Sequence, residues 1–448
     1  MNRRSFFSTS AGIAALLTGA AGCGGEKEEN LSSVSSSETV ITTLGGMSLD
    51  TIRDQYRSDL FDLYLPFMDK YVIDHEYGGF MCSTRPDGTT ISTSKRSVYE
   101  GRGIWVYSYL YANIAREQKF LDVAGKSVEF LLKNRPKGIT MWPSSFTREG
   151  KPSSPPFSSV NADLYIADGI AEYARATGDE KWWSMAKDIL LKCLQVYDGS
   201  GYGENSGKGY LGKDAPSMPG IRIIDDWMLF LWTATQMLTQ KLDTDLVLIV
   251  TQCLDTIMNK FYNPQTGLIH EILNHDYTRP KNDYAQVVNF GNDFQALWHV
   301  MAAALRIKAK SLFETAAERL KRHIEVAWDD VYGGVMGVLT NVEENRWSLA
   351  KAHYVQMEPL VGLLPVIEHT AARWAQDWFT KLYSYQHEKF YLEQYGYPFW
   401  LTSADRKVTF DFEKSTRIEN FHQPRYLMLN LLGIERIIEN GGKVTEIA

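Results

Sequence analysis

The chain is poor in the residues that build several common kinds of site. Its 448 residues include four cysteines, Cys23, Cys82, Cys193 and Cys253, with no Cys-x-x-Cys pair. So sparse a set excludes a disulfide framework and a thiolate metal cluster. His270 and His275 are five residues apart, a spacing that would splay them on a helix, and no metal site is expected. There is no Gly-rich phosphate loop and no Walker pattern, so no cofactor is expected either. Basic residues number 47 against 54 acidic ones, a net charge of −7, which speaks against a nucleic-acid partner. The apolar run Ala11–Ala21 is too short to span a bilayer as a mature helix.

That run does fit an export signal. Arg3 and Arg4 precede Ser5-Phe6-Phe7, and the run ends in Ala20-Ala21-Gly22-Cys23, which resembles a twin-arginine signal closed by a bacterial lipobox. Residues 1–23 are therefore read as the signal, with lipidation at Cys23. The expected location is the periplasm or cell envelope, with the membrane touched only through the lipid anchor. Residues 24–46 are polar and Ser-rich and read as a flexible linker. The folded domain is expected over 47–448.

What the chain has in quantity is aromatic: 12 Trp, 24 Tyr and 20 Phe. Such rings suit a large core, and Trp and Tyr also make the flat, polar-edged faces that sugars bind. A pattern recurs six times: a Gly/Tyr or turn-rich segment, a short alternating stretch, a polar residue, an apolar helix and a more charged helix. The polar positions Arg102, Asp163, Asp226, Asn292, Gln356 and His422 lie 61, 63, 66, 64 and 66 residues apart. Six apolar helices inside six amphipathic ones give an all-α fold, an (α/α)6 barrel with short β-hairpins at its mouth. Arg102, Asp163, Asp225/Asp226, Asn292, His353/Glu358 and His422 are then expected to ring one mouth. His422 lies at the start of an apolar helix that has Pro424 in its first turn, a position from which an imidazole can handle protons.

Several stretches carry a family resemblance: Tyr99-Glu100-Gly101-Arg102 with Trp105, Asn161-Ala162-Asp163, Lys351–Val361 (KAHYVQMEPLV) and Asn420–Arg425 (NFHQPR). Together they resemble the N-acylglucosamine 2-epimerase family, which includes cellobiose 2-epimerases and aldose–ketose isomerases. The resemblance spans most of Leu49–Glu435. It implies proton transfer at C2 of an open-chain mono- or oligosaccharide, with His422 as a proton carrier and Arg102 holding the developing negative charge.

The chain departs from the family at the fourth inner helix. Gly291-Asn292-Asp293-Phe294-Gln295 stands where the family has Gly-His-x-x-Glu, and neither amide accepts a proton at neutral pH. The base that partners His422, for epimerisation, isomerisation or a related β-elimination, is therefore sought among His353, Glu271, Asp225 and Asp226. Arg102, Asp163, Asn292, Gln295, Tyr354, Glu358 and Arg425 are the expected substrate-binding residues. Two other readings stay open: a glycoside hydrolase or lyase using paired carboxylates, and a non-catalytic surface sugar binder.

Overall fold

A helix that hides one face carries buried residues three and four apart, whereas a helix enclosed all round buries them without a break. Both kinds are present in this computed structural model, which describes residues 40–156, 159–199, 202, 216, 218–390, 401–403 and 418–447. Helix Lys310–Ala327 buries Phe313, Ala316, Ala317, Leu320, His323, Ile324 and Ala327, a single stripe. Helix Phe290–Arg306 buries every residue from Phe290 to Met301.

The enclosed helices are Ser97–Tyr109, Asn161–Thr177, Ile224–Gln240, Phe290–Arg306, His353–Thr370 and His422–Glu439. They form an inner set in which each packs against the next in chain order. The striped helices lie outside them: Leu49–Ser58 continued by Leu65–Tyr71, then Gln118–Leu132, Glu180–Tyr197, Thr244–Asp255, Lys310–Ala327 and Arg373–Phe390. The last unit meets the first. Ile418 N–H donates to the Cys82 carbonyl at 2.8 Å, Asn420 Nδ2 donates to the Tyr99 carbonyl at 2.9 Å, and Phe421 meets Trp105 edge-on at 5.6 Å. The architecture is the expected (α/α)6 toroid.

Short strands lead into the inner helices and stitch consecutive units together. Lys95–Arg96, before the first inner helix, pairs with Ser145–Phe146, and Arg222–Ile223, before the third, pairs with Ile272–Leu273. Val288–Asn289 pairs with Val338–Asn341, and Ala350–Ala352 with Leu401–Ser403. These pairings fix the inner-helix N-termini at one end of the toroid.

Two features differ from the sequence reading. The end of the expected linker is structured: Thr43–Leu44 pairs with Met47–Ser48, and Ile41 and Leu44 are buried. Two apolar side chains have core to fill there, and Ile41 N–H bonds the Gly442 carbonyl at 2.7 Å. Second, some of the evenly spaced polar residues staple loops and do not face the mouth. Asp163 Oδ1 accepts from Trp142 N–H at 3.0 Å and Oδ2 from Lys192 at 2.5 Å. Gln356 bonds both main-chain groups of Val335 at 2.8 Å. Glu100 does the same work in the first unit, accepting from Phe80 N–H at 3.0 Å. The turn it holds includes Gly79, at φ +86°, where an added Cβ would lie 2.4 Å from Glu100 Oε2. The signal residues, Cys23 and residues 24–39 lie outside the described residues.

Candidate active site

The inner-helix ends surround a cavity of about 270 Å³. All six inner helices contribute to its lining: Val98, Tyr99 and Arg102 from the first, Tyr165 from the second, Asp225 and Met228 from the third, Asn292 and Gln295 from the fourth, Tyr354 from the fifth and His422 from the sixth. Arg96, just ahead of the first, completes it.

His422 is held from behind. Its Nδ1 meets Glu358 Oε1 at 2.7 Å, and Arg425 Nη2 donates to the same oxygen at 2.6 Å. Trp298 Nε1 donates to Glu358 Oε2 at 2.8 Å. Glu358 is buried, and burial raises a carboxyl's pKa. Here Arg425, His422 and Trp298 outweigh it and hold the group at about 2. An anionic Glu358 keeps the imidazole proton on Nδ1 and leaves Nε2 for the cavity. Burial lowers the pKa of His422 itself, against the pull of Glu419 and Glu358, so the imidazole is neutral and ready to accept a proton. The Tyr354 ring lies 4.9 Å from it.

Arg102 is fixed by aromatic faces and two polar contacts. Its guanidinium lies 4.3 Å from the Tyr165 ring centroid and 5.2 Å from that of Phe421. Nη2 donates to the Tyr165 hydroxyl at 2.8 Å and Nη1 to Glu419 Oε1 at 3.4 Å. The other Glu419 oxygen accepts from Phe421 N–H at 2.9 Å and His422 N–H at 2.7 Å. One carboxylate thus caps the His422 helix and ties it to Arg102.

Asp225 faces the cavity, and Asn161 Nδ2 donates to its Oδ2 at 2.6 Å. Burial lifts its pKa to about 6, against the pull of Arg102 and Asn161. Asn292 lines the wall and donates to Glu271 Oε1 at 3.0 Å, which puts Glu271 behind the cavity surface. Gln295 Nε2 is buried with no hydrogen-bond partner among the described residues, an amide donor available to a ligand.

The structure therefore sorts the candidates from the sequence. It brings together His422, Arg102, Asp225, Asn292, Gln295 and Tyr354. Glu358 and Arg425 sit behind His422 and orient it; neither lines the cavity. Asp163 is committed to Trp142 and Lys192. Asp226, one residue on from Asp225, is turned about 100° around the helix and accepts from the Tyr202 hydroxyl at 3.2 Å. His353 is stacked on Phe390 at 5.0 Å, and its Nε2 accepts from Gln386 at 3.0 Å. Burial drives its pKa to about 3, so it is a neutral core imidazole. Arg96, Tyr165 and Glu419 were not singled out from sequence. Glu419 had a usable signal, an acid three residues before His422 at a helix entrance.

The sequence profile of the family described as N-acylglucosamine 2-epimerase (GlcNAc 2-epimerase) matches residues 233–418. The N-acylglucosamine 2-epimerase of Mus musculus is 21% identical over 384 residues, 82% of this chain and 88% of that protein. The cellobiose 2-epimerase of Ruminococcus albus is 24% identical over 339 residues, 70% of this chain and 81% of that protein. The crystal structure of a sugar epimerase from a ruminal bacterium superposes with a TM-score of 0.73 at 17% identity, covering 85% of this chain and 98% of that one. These matches support placing the chain with the N-acylglucosamine 2-epimerase-like superfamily, to which it is similar in sequence over residues 233–418 and in fold over most of its length.

Proposed function

We propose that this protein catalyses acid–base proton transfer on a mono- or oligosaccharide, as a sugar epimerase or isomerase. The observation that carries the reading is the buried Glu358–Arg425–His422 cluster, which leaves His422 Nε2 toward the cavity that Arg102 also lines. In the open-chain sugar the C2–H bond breaks, and the proton goes to Nε2. The bond's electron pair forms a C1–C2 double bond, and the carbonyl pair moves onto O1. Arg102 then faces the oxyanion, and electrostatic help of that kind is worth about 10²–10³ in rate. Gln295 and Asn292 are placed to bind sugar hydroxyls, and the Tyr354 and Tyr165 rings to bound the ring faces of a sugar.

The relatives' names point to N-acylglucosamine and cellobiose as first substrates to try. A glycoside hydrolase would need two carboxylates on the cavity; among the described residues Asp225 is the one that lines it. The test is C2–H exchange in deuterated water, followed by NMR with N-acetylglucosamine, cellobiose and mannose. Exchange at C2 of at least one epimer that is lost in His422→Gln supports the reading, and new reducing ends without exchange overturn it.

We place the work of the protein in the cell envelope, on the strength of Arg3-Arg4 and Cys23. The proposed layout is a signal over 1–23, a tether and a single toroid domain. Fatty-acid labelling of the expressed wild-type chain, absent in Cys23→Ala, is the expected result; labelling that survives the substitution would remove the anchor from the account.

A further inference from the structure

We infer that Asp225 is the second acid–base group of the site, acting on the sugar from the side opposite His422. This makes the reaction a C2 epimerisation and rests on the proton-transfer reading above. Inverting a carbon by proton transfer needs one group that removes the proton on one face and another that returns it on the other. In a ring of six inner helices packed in chain order, the third lies across from the sixth. Asp225 is in the first turn of the third and His422 at the start of the sixth. Both line the same cavity of about 270 Å³, small enough for one carbon to lie within reach of both.

The other candidates are spoken for. Asn292 and Gln295 are amides and carry no proton to exchange. His353, on the helix next to His422, is engaged with Gln386. Glu271 is covered by Asn292, and Asp226 faces Tyr202. Asp225, by contrast, is oriented through Oδ2 by Asn161, which leaves Oδ1 to the cavity. Its proton affinity also suits the task. Burial raises Asp225 to about 6, so near neutral pH the group can both hold and release a proton.

The step then balances. His422 Nε2 takes the C2 proton, and the enediolate forms with its charge on O1. The Asp225 carboxylic acid delivers its proton to C2 from the opposite face as the O1 electron pair re-forms the carbonyl. This leaves an aspartate and an imidazolium, and the reverse direction runs from that state with the roles exchanged.

The test uses the full chain in deuterated water with three C2-epimer pairs: N-acetylglucosamine and N-acetylmannosamine, cellobiose and glucosylmannose, glucose and mannose. The wild type should interconvert one pair with deuterium entering C2. Asp225→Asn, nearly isosteric, should lose interconversion at least 100-fold while His422 still exchanges the C2 hydrogen of one epimer. His422→Gln should exchange the other epimer alone. Asp225→Glu, which keeps the carboxyl, should recover part of the interconversion, and Asp226→Asn should keep it. Interconversion that survives in Asp225→Asn overturns the inference but leaves the proton-transfer reading standing. So does loss of exchange into both epimers in Asp225→Asn with wild-type thermal stability, since that marks a binding role. A wild type that exchanges no C2 hydrogen overturns the proton-transfer reading itself.

Discussion

Replacing Glu358 by Gln changes one atom, and the structure states what that atom was doing. Glu358 Oε1 accepts from both Arg425 and His422, and Oε2 accepts from Trp298. A glutamine has a single acceptor oxygen. With its NH₂ toward Trp298, two donors face each other, and with its NH₂ toward Arg425 and His422, Arg425 loses its partner while the amide donates to Nδ1. The second arrangement moves the imidazole proton to Nε2 and abolishes the base. Either way a buried Arg425 is left without a counter-charge. Breaking a buried pair on one side costs about 3–5 kcal/mol, which for a domain of this size lowers Tm by ~4–6 °C. Loss of a correctly held general base costs about 10²–10⁴ in rate. Glu358 also raises the proton affinity of His422, so its removal lowers the imidazole pKa. The acid limb of kcat/KM therefore moves to lower pH. Calorimetry measures the stability change, and C2–H exchange across pH 4–9 measures the rest. Wild-type exchange with an unmoved acid limb would refute the claim that Glu358 sets the state of His422.

Three further outcomes are expected. In Asp226, burial and the neighbouring Asp225 raise the pKa from 3.8 to about 8. The folded state then holds a proton that the unfolded chain has released, and stability falls as pH rises between those values, by about 1.4 kcal/mol per pH unit. Urea unfolding of Asp226→Asn at pH 5, 6 and 7 should show a slope shallower by that amount; an unchanged slope would mean that Asp226 is ionised in the fold. Arg102→Lys keeps the charge but loses the planar fork between the Tyr165 hydroxyl and Glu419. Its kcat for exchange should fall about 10²-fold with KM less affected; a change confined to KM would assign Arg102 to ground-state binding. His353→Gln should keep C2–H exchange near the wild-type rate, because His353 faces Gln386 and Phe390; loss of exchange at full stability would return His353 to the catalytic set.

The toroid was legible because its signal is repeated. Six enclosed and six striped helices each carry many apolar residues, and a shift of one or two positions does not change which face is buried. Side-chain direction was not legible in the same way, because each helical residue turns by about 100°. Asp225 and Asp226 are adjacent, yet one faces the cavity and the other Tyr202. His353 and Tyr354 divide likewise, the tyrosine to the cavity and the histidine to the core. Asp163 and Gln356 keep the spacing of the polar ring because each staples the loop before its own inner helix. The repeat thus recorded a folding requirement as faithfully as a chemical one. Arg102 and His422 carry a local motif in addition to the interval, and both line the cavity.

That distinction bears on the proposed proton-transfer site, which has an amide and no histidine at the entrance of the fourth inner helix. The groups that fix His422 come from the fourth, fifth and sixth inner helices: Trp298, Glu358 and Arg425. None depends on the side chain at position 292, so an amide there leaves the His422 side intact. Asn292 even gains a structural task, covering Glu271 with a 3.0 Å hydrogen bond. The opposite wall is built separately, by Asn161 on the second helix and Asp225 on the third. Six helix ends around one cavity offer several positions from which a carboxylate or imidazole reaches the same carbon. On the reading proposed above, what the site preserves is a pair of proton carriers on opposed walls with a cation beside them, and the third inner helix supplies the second carrier.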